Sequence, residues 1–151
     1  MFKVYIAAPY SMKETVAAEA AELQAVGIEC TSSWVKERHA ATVQMGDLTH
    51  DEHLTYALQD VEDVLAADLL MFHIDPTKTI VRGGRHVEFG MAVMINRISR
   101  KMPIFVIGED RENIFHHLQY VIHFATWELA LAAADKIANR DKVFVFKHQG
   151  F

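Results

Sequence analysis

The chain has 151 residues, 51% of them hydrophobic and 23% charged, which fits one domain over residues 1–151 with a core of its own. A formal net charge of −5 supplies no general basic field, so a nucleic-acid polymer is not the expected partner. Cys30 is the one cysteine, no apolar run approaches the roughly 20 residues of a membrane span, and the apolar start is too short for a signal peptide. A soluble, cytoplasmic protein without a disulfide framework, thiolate zinc cluster or membrane partner is expected.

In chain order, "KVYIAA" is a short apolar run of strand formers. "MKETVAAEAAELQAVG" follows with Val16, Ala20, Leu23 and Val26 at helical spacing and Gly27 as the stop. "IECTSSW" suits a second strand, and "VKERHAATVQMGDLTH" shows no sustained period and reads as a long polar loop. "DEHLTYALQDVEDVLAAD" places Leu54, Leu58, Val61 and Leu65 on one helical face. Then come a third strand, "LLMFHI", closed by Asp75-Pro76, the turn "RGGR", and a helix through "HVEFGMAVMINRI". "MPIFVIG" is a fourth strand and "QYVIHF" a short fifth. "TWELALAAADKIANR" is an amphipathic helix capped by Thr126, and "KVFVFKHQGF" is read as an extra strand or an arm.

Strands that are continuous apolar runs, alternating with helices, indicate a mostly parallel sheet covered on both faces. The expected fold is doubly wound α/β, flavodoxin-like, with about five strands. Such sheets bind ligands beyond the carboxyl ends of their strands. Three polar residues stand near those ends or on the helices joined to them: Tyr5 in the first strand, Asp60 before the third, and Glu88 after the glycine turn. Each also has a structural role open to it: a satisfied core phenol, an exposed helix residue, a carboxylate at a helix N-terminus.

Taken together and in this order, "VYIAAPYS", "DVEDVLAADLLMFHI" and "GGRHVEFGMAV" resemble the nucleoside 2-deoxyribosyltransferase family and its relatives, the nucleoside 5'-monophosphate N-glycosidases. The resemblance runs from Val4 to about Trp127 and weakens after Trp34 and at the C-terminus. It includes the Asp60-to-Asp68-to-Glu88 spacing and implies Glu88 as the nucleophile toward an anomeric carbon, Asp60 as proton donor or relay, and Tyr5 as the group that orients Glu88. A carboxylate is a competent nucleophile toward such a carbon, and a departing base needs a proton or hydrogen bond. Gly84 and Gly90 fall on the family's small positions near the sugar and the helix. Ala8, Tyr10 and Ser11 fall in the substrate pocket, with Lys13 beside them.

The position six before the nucleophile departs from the family pattern. The resemblance implies that it faces the sugar's 5' group, as an aspartate in the transferases and a serine in the hydrolases; here it is Arg82. A guanidinium offers a phosphate paired donors and a full charge, so Arg82 points to a nucleotide, the alternative being an ordinary solvated surface charge. Arg85 is a further candidate ligand of this group, or else pairs with a neighbouring carboxylate. Asn113 points the other way, since it matches an asparagine that transferases lend across a subunit contact to a 5'-hydroxyl. It implies at least a homodimer.

Other chemistries fit less well. His116 and His117 are adjacent on an expected helix and diverge, and no carboxylate–histidine pair has ligand spacing, so no metal is expected. "RGGRHVEFG" lacks the dinucleotide order of glycines, and "APYS" lacks a nucleophile elbow, so neither a nicotinamide cofactor nor serine catalysis is expected. The sequence reading is a cofactor-free enzyme cleaving a (2'-deoxy)nucleoside 5'-monophosphate through glycosyl-Glu88. Base exchange on free deoxynucleosides and a non-catalytic nucleotide-binding module are the alternatives.

Overall fold

The computed structural model describes residues 1–37, 48–77 and 83–148, and of 141–148 only the helical backbone. Among the described residues, five strands form one parallel sheet: β1 (Lys3–Ala7), β2 (Glu29–Cys30), β3 (Leu69–His73), β4 (Ile104–Ile107) and β5 (Val121–Phe124). Their order is β2-β1-β3-β4-β5. Four α-helices accompany them: α1 (Lys13–Ala25), α2 (His50–Ala66), α3 (Gly84–Ile98) and α4 (Trp127–His148). This is the expected doubly wound architecture.

The apolar runs form central strands because both faces of the sheet are covered. Val4–Ala7 and Leu69–Phe72 have no exposed surface, and Tyr5 pairs in register with Leu70. Each large side chain so buried stabilises the fold by roughly 1.5–3 kcal/mol relative to exposure. His73 meets Glu19 of α1 and Trp127 of α4, whereas Phe72 meets Phe89 of α3. Adjacent strand residues point to opposite faces, so α1 and α4 cover one face and α3, with α2 beside it, covers the other.

Several sequence signals act as expected. Gly27 takes φ 80° just after α1, a conformation that only glycine adopts without cost. Thr126 accepts a long hydrogen bond from Leu129 N at 3.5 Å at the start of α4. α2 begins on a capping box that the expected elements did not include: Thr49 Oγ1 accepts from Glu52 N at 3.2 Å, and Glu52 Oε2 accepts from Thr49 N at 2.7 Å.

Three expectations are corrected, and a fourth holds with its face turned outward. The second strand is two residues long, because Ser32 and Trp34 bond sideways to Ile6: Ser32 Oγ accepts from Ile6 N at 2.6 Å, and Trp34 Nε1 donates to Ile6 O at 3.0 Å. Ser33–Lys36 then form a 3-10 turn. His116 and His117 likewise lie on a 3-10 turn, Ile114–His117, instead of a helix. The ending "KVFVFKHQGF" is neither strand nor arm through His148 but the last turns of α4, a period its apolar residues left ambiguous. Finally, Leu54, Leu58, Val61 and Leu65 do share a face of α2, but that face is turned to solvent. The inward face carries His53, Tyr56, Asp60, Asp63 and Val64.

Candidate active site

The chain crosses from β1 to β2 in one direction, and from β3 to β4 and β5 in the other, so the winding reverses between β1 and β3. Their carboxyl ends therefore open a crevice, where doubly wound folds place their ligands. Tyr5 comes from β1, Asp60 from the third turn of α2, and Glu88 from the first turns of α3. The three residues chosen from sequence are brought within electrostatic reach of one another.

The protonation of this group follows from burial and shared charge. Burial above all, and then the Asp60 carboxylate, push Glu88 up to about 8, against the opposing pull of the Tyr5 hydroxyl and Arg85. Burial and Asp63 raise Asp60 to about 6. Tyr5 is held far above the ordinary phenol range by burial and by the charges of Glu88 and Asp60. It is thus a neutral donor at any working pH. Its hydroxyl has no partner at full hydrogen-bond geometry, and neither has Asp60 Oδ1, although the hydroxyl is close enough to favour the ionised Glu88. Because both pKa values belong to a coupled pair, the pair carries one proton between about pH 6 and 8, resting mainly on Glu88.

Glu37 is a third carboxyl in this electrostatic group, and sequence reasoning missed it. Burial and the Asp60 charge raise it to about 7, while Lys13 pulls it down. It follows the 3-10 turn in a stretch without hydrophobic period, so no sequence signal marked it. Lys13 Nζ donates to Glu37 O and to Tyr10 Oη, the latter at 3.2 Å, and Tyr10 lies 6.1 Å from the Trp34 ring. Tyr10, Lys13, Trp34 and Glu37 thereby form one wall beside the crevice. Ala8 is half-buried and Ser11 is exposed at the start of that wall.

Of the two roles open to Arg85, the structure displays the ion pair. Arg85 is buried, its Nη1 lies 2.6 Å from Glu112 Oε2 and donates to His73 O at 3.1 Å, and its guanidinium sits 5.0 Å over Phe72. Glu112 Oε1 in turn accepts from Asp75 N at 2.6 Å. Arg85 therefore ties the first turn of α3 to the loops that follow β3 and β4. Asn113 serves as the cap of its own 3-10 turn, with Oδ1 accepting from Phe115 N at 2.9 Å, while Nδ2 stands 3.4 Å from both His86 Nδ1 and His116 Nε2. Asp68 closes the amino end of the sheet, its Oδ2 accepting from Lys3 N at 2.9 Å, and has no place in the crevice. A Cβ at Gly84 or Gly90 would meet no protein atom within 4 Å, so internal packing does not require either glycine. Arg82 lies outside the described residues.

No protein-family model matches the sequence, and no curated protein matches it. Solved structures do match in fold. A 2-deoxyribosyltransferase from Bacillus psychrosaccharolyticus aligns with TM-score 0.63 at 17% identity, over 85% of this chain and 90% of its own. A 2-deoxyribosyltransferase from Leishmania mexicana aligns with TM-score 0.61 at 13% identity, over 90% and 98%. The Clostridium botulinum CMP N-glycosidase BcmB aligns with TM-score 0.51 at 16% identity, over 88% and 98%. The suspected resemblance thus has its counterpart in three dimensions: this chain has the fold of the nucleoside 2-deoxyribosyltransferases and of a nucleotide N-glycosidase.

Proposed function

We propose that the chain cleaves the N-glycosidic bond of a (2'-deoxy)nucleoside 5'-monophosphate through a covalent glycosyl-Glu88 intermediate, releasing the free base. The carrying observation is the meeting of Glu88 and Asp60, from two different helices, with the neutral Tyr5 donor at the β1–β3 crevice. The fold shared with enzymes of nucleoside and nucleotide glycosidic bonds supports the same reading. In the reactive form the shared proton sits on Asp60 and Glu88 is ionised. A Glu88 carboxylate oxygen bonds to the anomeric carbon as the carbon–nitrogen bond breaks. The bonding pair leaves with the base, and Asp60 supplies the proton. Asp60, now ionised, takes a proton from water, whose oxygen attacks the anomeric carbon and frees Glu88. Tyr5 holds one carboxylate oxygen so that the other is aimed.

The 5'-phosphate preference rests on Arg82, whose guanidinium suits a dianion. A cytoplasmic homo-oligomer in which Asn113 completes a neighbouring site belongs to the same proposal. Mixing inactive Glu88→Ala with inactive Asn113→Ala subunits is then expected to restore part of the activity, and no restoration at any ratio removes Asn113 from a neighbour's site. The primary test is free-base release from a panel of nucleosides and 5'-monophosphates, with and without a second base as acceptor. Base release that does not need the acceptor is expected. Release only with it makes the enzyme a base-exchanging transferase, and thermal stabilisation by nucleotides without any release makes the chain a binding module.

A further inference from the structure

Asp63 is a buried carboxyl that the proposed reaction does not use. It is 8% exposed, on the inward face of α2 and three residues after Asp60, so the two carboxyls stand one turn apart on the same side of the helix. Its partners are neutral donors: Oδ2 accepts from Ser33 N at 2.9 Å, Oδ1 from Gln59 Nε2 at 2.9 Å, and its backbone O from Thr31 Oγ1 at 2.9 Å. Both carboxyl oxygens therefore face donors, which suits a carboxylate and not an amide, since an asparagine would turn its own NH2 toward one of them. Among the described residues no cation lies within ion-pair distance of it. A buried charge without a counter-ion lowers stability, so the clamp alone does not account for it. Thr31 and Ser33 belong to the segment that leads through Trp34 to Glu37, so Asp63 ties one wall of the crevice to the turn of α2 that carries Asp60.

From this geometry we infer that Asp63 is a positioning residue for Asp60: it clamps α2 to the 31–37 segment and sets a fixed negative charge one turn behind the proposed acid. The inference rests on the role proposed for Asp60 and adds the reason that Asp60 can hold a proton. The groups that bear on Asp60 come from every element packed around it: Tyr5 from β1, Asp63 from α2, Glu88 from α3 and Glu37 after the 3-10 turn, with Lys13 of α1 acting on Glu37 and Arg85 on Glu88. After burial, the Asp63 charge is the cause that lifts Asp60 to about 6, and it bears on Glu37 and Tyr5 in the same direction. Asp63 has no comparable hold on Glu88. The sign suits the chemistry. The reactive form needs the shared proton on Asp60 and none on Glu88, whereas burial leaves it mainly on Glu88. By disfavouring ionised Asp60 more than ionised Glu88, Asp63 enlarges the reactive fraction of the pair that holds one proton.

The test reads Asp60 directly, and so does not depend on base release. Carboxyl 13C titration of the full chain by NMR, with Asp60→Asn to assign the signal, is expected to place the Asp60 midpoint near 6 in the wild type. Asp63→Asn is expected to move that midpoint down by roughly half a pH unit or more, toward the ordinary carboxylate range. Asparagine also turns an amide toward a donor and loses stability for that reason. Asp63→Ser, neutral and still an acceptor for Ser33 N, is the second variant and is expected to move the midpoint the same way. Asp63→Glu keeps the charge while displacing the clamp, and is expected to hold the midpoint near the wild-type value. Where base is released, the lower limb of the kcat/KM profile is expected to follow the midpoint down in the two neutral variants, with kcat reduced several-fold and KM little changed. A midpoint unmoved in the neutral variants, with only thermal stability reduced, makes Asp63 a structural clamp and overturns the inference. An equal move in Asp63→Glu overturns it too, because the charge is then not the cause. Displaced midpoints without base release from any substrate defeat the glycosidic reading instead and leave the Asp63–Asp60 linkage standing.

Discussion

At the scale of single residues, the site depends on where one proton sits. Below about pH 6 the Asp60–Glu88 pair takes a second proton and loses the carboxylate we propose as nucleophile, and above about pH 8 it loses the last proton and with it the proposed acid. A bell-shaped kcat/KM profile with limbs near those two values is expected, and a profile flat from pH 5 to 9 would separate catalysis from this pair. The same shift predicts stability. Glu88 is raised in the folded chain, so its contribution is present below the unfolded pKa and is lost as pH rises through about 8. Glu88→Gln is therefore expected to abolish base release by several orders of magnitude and yet raise thermal stability at pH 9, by on the order of 2 kcal/mol, with little change at pH 4. Arg82→Ala is expected to lower kcat/KM for the monophosphate by roughly 30-fold or more at fixed ionic strength, leaving nucleoside turnover unchanged. Equal turnover of both substrates by the wild type defeats the phosphate assignment.

At the scale of elements, the pair of Arg85 and Glu112 anchors the helix that carries Glu88. Removing one partner strands a buried charge, so Glu112→Ala is expected to cost roughly 3–5 kcal/mol in denaturant unfolding. The double change Arg85→Met with Glu112→Met is expected to cost less than the single one, because no charge is left uncompensated. Additive losses would show that the two side chains act separately. The elements themselves were largely legible: continuous apolar runs named the central strands, and Gly27 and Thr126 marked helix ends. β2 was overread because Ser32 and Trp34 bond to Ile6 across the chain, which no local pattern announces. Tyr5, Asp60 and Glu88 were legible through the order of their motifs, whereas Glu37 enters the group only through tertiary proximity. The orientation of α2 was not legible, since periodicity shows that a face exists and cannot say whether sheet or solvent lies against it.

At the scale of the whole molecule, function and stability pull on different sides of α2. The inverted helix gives its polar stripe to the crevice, so Val64 and the adjoining Ala67 are its fully buried apolar anchors to the sheet. Much of the remaining hold is polar: Arg100 at the carboxyl end and, before it, Asp63, whose Oδ2 accepts from Ser33 N at 2.9 Å, while the capping box secures only the first turn of the helix itself. Helices with few buried apolar contacts open locally at a free energy well below that of global unfolding. Backbone amides of α2 are accordingly expected to exchange with deuterium faster than those of α3. Equal exchange from the two helices would show that the polar hold suffices. If α2 exchanges first, the helix that carries Asp60 comes loose before α3 does, with the strands beneath it still intact.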